Sequence, residues 1–295
     1  MTNHFVVVPQ WQGSGSSRAM RLVDGAAAIQ GDLPSAFTTS INVPLEAGDS
    51  QGTSVHRLSA LTLVRERLSE ALSTIPGPVV TIGGDCGVEV GAVGHLSDRD
   101  IALIWFDAHP DLNTPESSPS NAFHGMVLRT ILGDGPQPLV PSTPLSADRV
   151  ILVGIRASDA AEEEFATAAG LRSLTVEDFT PESLIDAVVA SGAASVYLHI
   201  DLDVLDPADM TQVGFPEPFG LRAEVLIAAI KALLARFPLA GAGITEFAPS
   251  SIADAVEDMP TVLRIIGALA TETVTDAQKV TDAQTVTDAQ TATQP

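Results

Sequence analysis

The sequence predicts an α/β fold built on a mostly parallel sheet. Three observations predict it. Strand candidates recur at 5–8, 37–43, 79–82, 101–106, 150–155, 171–175, 196–202 and 240–245, and a continuous apolar run such as the one that opens 101–106 reads as a strand buried on both faces. Helical stripes lie between and after them. Leu58, Leu61, Val64, Leu68 and Leu72 form one, and Ile252, Val256, Met259, Leu263, Ile266 and Leu269 another; each is the pattern of an amphipathic helix laid on a sheet. Third, Asp, His and Gly collect just beyond several of the apolar runs, where ligands bind in parallel sheets. Strands alternating with helices imply crossover units. Periodicity does not decide whether eight such strands close into a barrel or stay open.

The bulk numbers narrow the function. A chain of 295 residues suggests one large α/β domain or two small ones. Its 15 Lys+Arg and 37 Asp+Glu give a net charge of -22. That argues against nucleic acid and anionic membranes, which need a basic footprint, and it favours cations: metal ions or a cationic substrate. An acidic surface that aids solubility accounts for the net charge equally well. Cys86 is the single cysteine, so no internal disulfide forms, which fits a reducing cytosol. Residues 1–8 lack a basic region and read as a first strand rather than a signal peptide. No apolar run nears the roughly 20 residues that span a bilayer. In the tail, Val274-Thr275-Asp276-Ala277-Gln278 recurs at 280–284 and 286–290. That repeat matches no helical period and carries few large apolar groups, so 271–295 is expected to be a disordered, low-complexity tail, leaving 1–270 as the folded domain.

Three stretches carry chemistry. In Asp107-Ala108-His109-Pro110-Asp111, after the apolar 101–106 run, two carboxylates and an imidazole alternate; on extended backbone that spacing points them to one side. A solvated polar turn is the alternative. In His199-Ile200-Asp201-Leu202-Asp203, the three polar residues share a face, and two adjacent carboxylates repel unless a cation or proton lies between them. His199 could add a supporting hydrogen bond, although ordinary packing accounts for it as well. Gly83-Gly84-Asp85-Cys86-Gly87 follows a third run. It lacks the Lys-Ser/Thr of a P-loop and the spacing of a dinucleotide fingerprint, so its glycines serve close backbone approach. Cys86 is either a ligand or a small buried apolar residue. Oxygen-heavy ligation of this kind favours ions such as Mn²⁺ over structural Zn²⁺, and five or six ligands suit two ions.

These motifs, in this order, resemble the arginase–agmatinase (ureohydrolase) family, with its Gly-Gly-Asp-His, Asp-Ala-His-x-Asp and Asp-x-Asp-x-x-Asp-Pro signatures, over roughly residues 1–270. The resemblance implies a three-layer αβα fold with an open, mainly parallel eight-stranded sheet. It also implies a two-ion Mn²⁺ centre held by Asp107, His109, Asp111, Asp201 and Asp203, with Cys86 at the sixth position. A guanidino amino acid is then the substrate, a metal-bound hydroxide attacks the guanidine carbon, and a homo-oligomer is possible. By the same resemblance Asp111 carries a proton to the leaving amine, His124 relays protons near the site mouth, and Glu246 pairs with the guanidinium, whose bidentate geometry a carboxylate matches. Asn113 and Ser120 would hold the substrate carboxylate and Asp159 would lie near its amino group. A turn Asn, a loop Ser and a helix-capping Asp are the structural alternatives.

Cys86 departs from the family histidine. A thiol suits Mn²⁺ poorly and is protonated near neutrality unless activated. A thiolate ligand makes the metal a weaker Lewis acid, and a missing ligand weakens binding; either way bound water is harder to deprotonate. A poorer nucleophile needs a more reactive substrate, and an N-hydroxyguanidine is one. Cysteine here resembles the branch of the family that hydrolyses Nω-hydroxy-L-arginine to L-ornithine and hydroxyurea in D-cycloserine biosynthesis. Two alternatives stand: an ordinary arginase, or a metal-poor member that binds without catalysis.

Overall fold

A computed structural model describes residues 3–96 and 98–270. The repeat tail at 271–295 lies outside the described residues, as does the side chain of Ile252. All eight expected strands form: β1 (His4–Val8), β2 (Thr38–Ser40), β3 (Val79–Gly83), β4 (Ile101–Phe106), β5 (Val150–Val153), β6 (Arg172–Leu174), β7 (Ser195–Asp201) and β8 (Leu239–Thr245). They make one open sheet in the order β2-β1-β3-β8-β7-β4-β5-β6, with every pairing parallel. The sheet therefore does not close into a barrel, and β2 and β6 are its edges.

Each central strand alternates between two apolar layers. On β4, Ala102, Ile104 and Phe106 enter one core, while Ile101, Leu103 and Trp105 enter the other. The first core is covered by helices α1 (Arg21–Gly31), α6 (Pro181–Ser191), α7 (Ala223–Leu234) and α8 (Ile252–Leu269); the second by α2 (Leu58–Thr74), α3 (Glu89–Gly94) and α4 (Val127–Ile131), with α5 (Ala160–Ala168) at its margin. This burial on both faces is why the strands read as unbroken apolar runs.

Two sequence expectations shift. The 37–43 run contributes only three strand residues, because β2 is an edge strand with exposed side chains and little apolar burial to extend it. On α8 the buried apolar residues are Ala255, Met259, Val262, Ile265, Ile266, Ala268 and Leu269, whereas Val256 and Leu263 of the expected stripe are 67 % and 36 % exposed. More apolar residues lie on that helix than one face can bury, and Val262, Ile265 and Ala268 are the most completely buried of them.

Strand order places the chemistry. Chain direction across the sheet reverses between β3 and β4, and β8 and β7 fill the gap between them. The carboxyl ends of β3, β8, β7 and β4 therefore converge at a topological switch point, where open α/β sheets bind ligands. Cys86, Glu246 and Asp107 follow the ends of β3, β8 and β4, and Asp201 is the last residue of β7.

Candidate metal centre

Asp107 follows the last residue of β4 and is buried. Both of its oxygens are held: the backbone N–H of His109 donates to Oδ1 at 2.6 Å and the Trp105 indole donates to Oδ2 at 3.1 Å. His109 then turns its Nδ1 to within 3.0 Å of Asp203 Oδ2 and 3.5 Å of Asp107 Oδ1. Burial opposes charge on this ring, but the two carboxylates prevail and push His109 up to about 12. Its Nδ1 thus sits where a cation between Asp107 and Asp203 belongs.

The extended alternation expected for Asp107, His109 and Asp111 is not how they meet. β4 ends at Phe106, the chain bends, and Asp111 has φ of 52°. Among the described residues its buried carboxylate has no hydrogen-bond partner at Oδ2, and it falls outside the two groups of donors whose atoms lie within 4.8 Å of one another. Nor does Asp203 continue β7. It lies in a single 3-10 turn, Leu202–Val204, capped by Asp201, whose Oδ1 accepts the Asp203 N–H at 2.8 Å. That turn swings Asp203 toward His109, and Ala108 N–H fixes its other oxygen at 3.0 Å.

The two donor groups share Asp107. One comprises Asp107, His109 and Asp203; the other comprises Cys86, Asp107, His199 and Asp201. Cys86 lies in the 3-10 turn after β3, fully buried, with Sγ 3.0 Å from Asp201 Oδ2 and 3.4 Å from Thr245 Oγ1. Burial and the surrounding carboxylates push the thiol up when no cation is near. Burial and mutual repulsion likewise raise Asp111, Asp201 and Glu246 well above the usual carboxylate range, and Asp203 to about 6. Ionised together, the buried carboxylates of Asp107, Asp111, Asp201, Asp203 and Glu246 would carry more negative charge than the His109 imidazolium offsets, which together with burial is why most of them are pushed toward protonation when no cation is near. With partnerless oxygens on Asp111 and Glu246, this donor set fits divalent cations.

Glu246 follows β8 in a left-handed conformation, φ 64°, with its N–H bonded to the Gly84 carbonyl at 2.8 Å. Left-handed backbone at two non-glycine site residues, Asp111 and Glu246, costs about 1–2 kcal/mol each. Such strain persists where the surroundings fix a functional geometry.

The remaining expected site residues scatter. His124 is half-buried and stacks on Phe215, ring centres 5.0 Å apart; burial, and then the charge on His109, lower it to about 4. Asn113 donates to Asp159 Oδ2 at 2.8 Å and accepts from the Ser117 hydroxyl, leaving one amide N–H. Asp159 Oδ1 caps α5, so the capping alternative is realised, and Asn113 takes its other oxygen. Ser120 is exposed, and its hydroxyl accepts the Ala122 N–H within its own loop. Four residues in or around the centre carry no role in the sequence reading: Trp105, Glu89, Tyr197 and Phe215. Only Trp105 had a local signal, its period-two spacing from Asp107.

Metal binding is expected to stabilise the fold measurably. A ligand at a hundred times its Kd adds about 2.7 kcal/mol, which at roughly 2–4 °C per kcal/mol is a rise of about 5–10 °C in Tm on adding Mn²⁺ to chelated protein at pH 7. Metal-free Asp203, raised to about 6, and Asp111 and Asp201, raised well above the usual carboxylate range by burial and mutual repulsion, are eased by protonation, whereas bound metal needs them ionised. The increment should therefore shrink as pH falls through about 6. An equal increment at pH 5 and pH 7 would count against these ligands.

An open parallel sheet with a carboxylate-rich centre at its switch point defines a metal-binding α/β protein. The arginase family model matches residues 19–266, and the chain belongs to the arginase family. Arginase from Staphylococcus aureus (strain COL) is 32 % identical over 162 residues, 51 % of this chain and 53 % of that protein. Arginase from Bacillus caldovelox is 31 % identical over 208 residues, 65 % of this chain and 67 % of that one. The aligned stretch thus spans about half the length of the Staphylococcus relative. Among solved structures, Entamoeba histolytica arginase in complex with L-ornithine superposes with a TM-score of 0.81, at 23 % identity, covering 92 % of this chain and all of that one. Proclavaminate amidino hydrolase from Streptomyces clavuligerus superposes at 0.69 with 21 % identity, covering 91 % and 90 %. Among the described residues no helix is long and apolar enough to cross a membrane.

Proposed function

We propose that this chain is a metal-dependent amidinohydrolase that hydrolyses Nω-hydroxy-L-arginine to L-ornithine and hydroxyurea. The C–N bond between the guanidine carbon and the ornithine nitrogen breaks, and one water supplies the carbonyl oxygen and one proton to hydroxyurea and its other proton to the ornithine nitrogen. The observation that carries the substrate is Cys86 Sγ among Asp107, Asp201 and Glu246, where a family histidine would stand. Divalent ions, two Mn²⁺ in this reading, would be held by Asp107, His109, Asp111, Asp201 and Asp203 with Cys86, and supply Lewis acidity and an acidified water. A thiolate added to so many carboxylates lowers that Lewis acidity, which favours the electron-poor N-hydroxyguanidine.

The chain's own groups divide the remaining work. Glu246 Oε2 is buried without a partner and accepts guanidine N–H. Asp111 Oδ2, also without a partner, receives the proton released by the attacking water and delivers it to the departing ornithine nitrogen. The free amide N–H of Asn113 donates to the substrate carboxylate, with Asp159 holding Asn113 in place; Ser120 reaches that carboxylate from the loop. His124, held neutral by burial, exchanges protons with solvent beside Phe215.

A second reading is ordinary arginase, favoured by the names of the relatives above. Turnover of both substrates with Mn²⁺ decides between them. Strong preference for the hydroxylated substrate is expected, and Cys86→His should raise arginine turnover and metal affinity. Equal or better turnover of L-arginine by the unmodified protein would make it an arginase. Less than about one ion per chain in excess Mn²⁺ would instead indicate a non-catalytic binding member.

A further inference from the structure

Beneath the centre, one pleat deeper in the sheet, lies a buried polar network that the reaction above does not use. Trp105, His199 and Gly243 stand in register on β4, β7 and β8. The His199 ring is fully buried and stacks on the Trp105 indole, centres 3.6 Å apart and planes 25° apart. Gly243 has no side chain on its other flank, and the Glu89 carboxylate occupies that space: a Cβ on residue 243 would fall 1.5 Å from Glu89 Oε1. Glu89, from the first turn of α3, is also fully buried, and the Tyr197 hydroxyl donates to its Oε2 at 2.6 Å.

The imidazole spans the gap between this carboxylate and the centre. Nδ1 lies 3.4 Å from Glu89 Oε1, and Nε2 lies 3.6 Å from Asp107 Oδ2. Among the described residues neither nitrogen has a hydrogen-bond partner, and Glu89 Oε1 has none. A buried imidazole with both nitrogens unpaired is costly, and a cation beside Asp107 relieves it. His199 is one of four residues whose donor atoms, with those of Cys86, Asp107 and Asp201, lie within 4.8 Å of one another.

We propose that His199 Nε2 is a direct ligand of the ion held by Cys86, Asp107 and Asp201, and that Glu89 orients it by accepting its Nδ1–H. Ligating histidines regularly donate the other ring N–H to a carboxylate, which fixes the tautomer and strengthens the donor. Here Tyr197 holds the carboxylate in turn, and Gly243 admits it. The imidazole places a neutral nitrogen in a ligand set otherwise made of thiolate and carboxylates, which limits the accumulated negative charge. Its rigid seat against Trp105 defines the floor of the site. The inference rests on the metal-dependent reading above.

Proton NMR of the Co²⁺-substituted, full-length protein tests it, because a ligated imidazole shows a strongly shifted N–H resonance. Two such resonances are expected. The His199 Nδ1–H, buried against Glu89, should exchange slowly with water, whereas the Nε2–H of the more exposed His109 should exchange fast. His199→Gln should remove the slow resonance and one tightly bound ion. Glu89→Gln should weaken that ion by about 10–100-fold while the shifted resonance persists with faster exchange. Co²⁺ bound with a single shifted imidazole resonance, unchanged in His199→Gln, would overturn this ligand and leave the metal-dependent reading standing. No Co²⁺ binding at all would overturn both. Should His199→Gln fail to fold, selective ¹⁵N-histidine labelling of the unmodified protein counts the ligated rings directly.

Discussion

Asp107→Asn is expected to lower kcat/KM by roughly 100-fold or more and to reduce tightly held metal below two ions per chain. Losses up to about 100-fold already follow from removing groups that merely support a ligand, and Asp107 is more central than that. It belongs to both donor groups, so a single amide weakens two cation positions together. Its environment is also built for a carboxylate. Oδ1 accepts from the His109 backbone and Oδ2 from the Trp105 indole, so an amide NH₂ must face a donor whichever way it is turned, leaving a buried N–H against N–H contact. The imidazolium of His109 loses one of its two counter-charges as well. Elemental analysis after dialysis against Mn²⁺, with turnover of both guanidino substrates, checks this. Two ions retained with near-normal turnover would move the centre away from Asp107. His199→Gln, by contrast, should spare the position between Asp107 and Asp203, so comparing the two variants separates the shared ligand from the one-sided ligand.

Most of the fold was readable because burial on both faces leaves a direct trace in sequence. A central parallel strand such as β4 has no polar face, so Ile101 to Phe106 stands out without any tertiary information. The trace fades at the edges: β2 pairs on one side and exposes its side chains, and its run looks longer than the strand it makes. The donors were legible for a related reason. They follow strands that end at one place in space, so strand ends and carboxylates coincide along the chain. Their precise aim was not. Asp203 reaches the centre by a 3-10 turn, and Asp111 stands outside both donor groups at a left-handed residue; period-two reasoning cannot see a chain leave the strand. Glu89 is a harder case. Nothing in its neighbourhood distinguishes it from a surface acid on a helix, and its burial depends on Gly243, 154 residues away, leaving room. Likewise, His199 reads as a packed core residue until Trp105, Glu89 and Asp107 are seen on three sides of it.

Gly84→Ala is expected to destabilise the protein by about 3 kcal/mol or more, placing it among severe overpacking substitutions. It should also misplace both Cys86 and Glu246. A Cβ at Gly84 would lie 1.7 Å from the Gln10 carbonyl oxygen and 2.7 Å from its carbon. These are backbone atoms, so no side-chain rotation relieves the overlap. Nor can Gln10 retreat. Its N–H bonds the Val8 carbonyl at 2.7 Å, its own carbonyl accepts the Asp85 N–H at 2.9 Å, and its side chain donates to Asp85 Oδ1 at 2.9 Å. On its other side Gly84 binds Val8 O through its N–H and Glu246 N–H through its carbonyl. The ends of β1, β3 and β8 are thus tied at this one residue, and pushing β1 away moves the strained Glu246 and the turn carrying Cys86. Denaturant melts should show a midpoint shifted down at unchanged slope, and turnover should fall even at temperatures where the variant is folded. Gly31→Ala supplies the contrast. Residue 31 ends α1, and a methyl added there would meet nothing within 4 Å, so alanine should be neutral or stabilising by up to about 1 kcal/mol. Equal stability of the two variants would show that β1 can yield at Gln10, and that the close approach of the three strands is not what positions the centre.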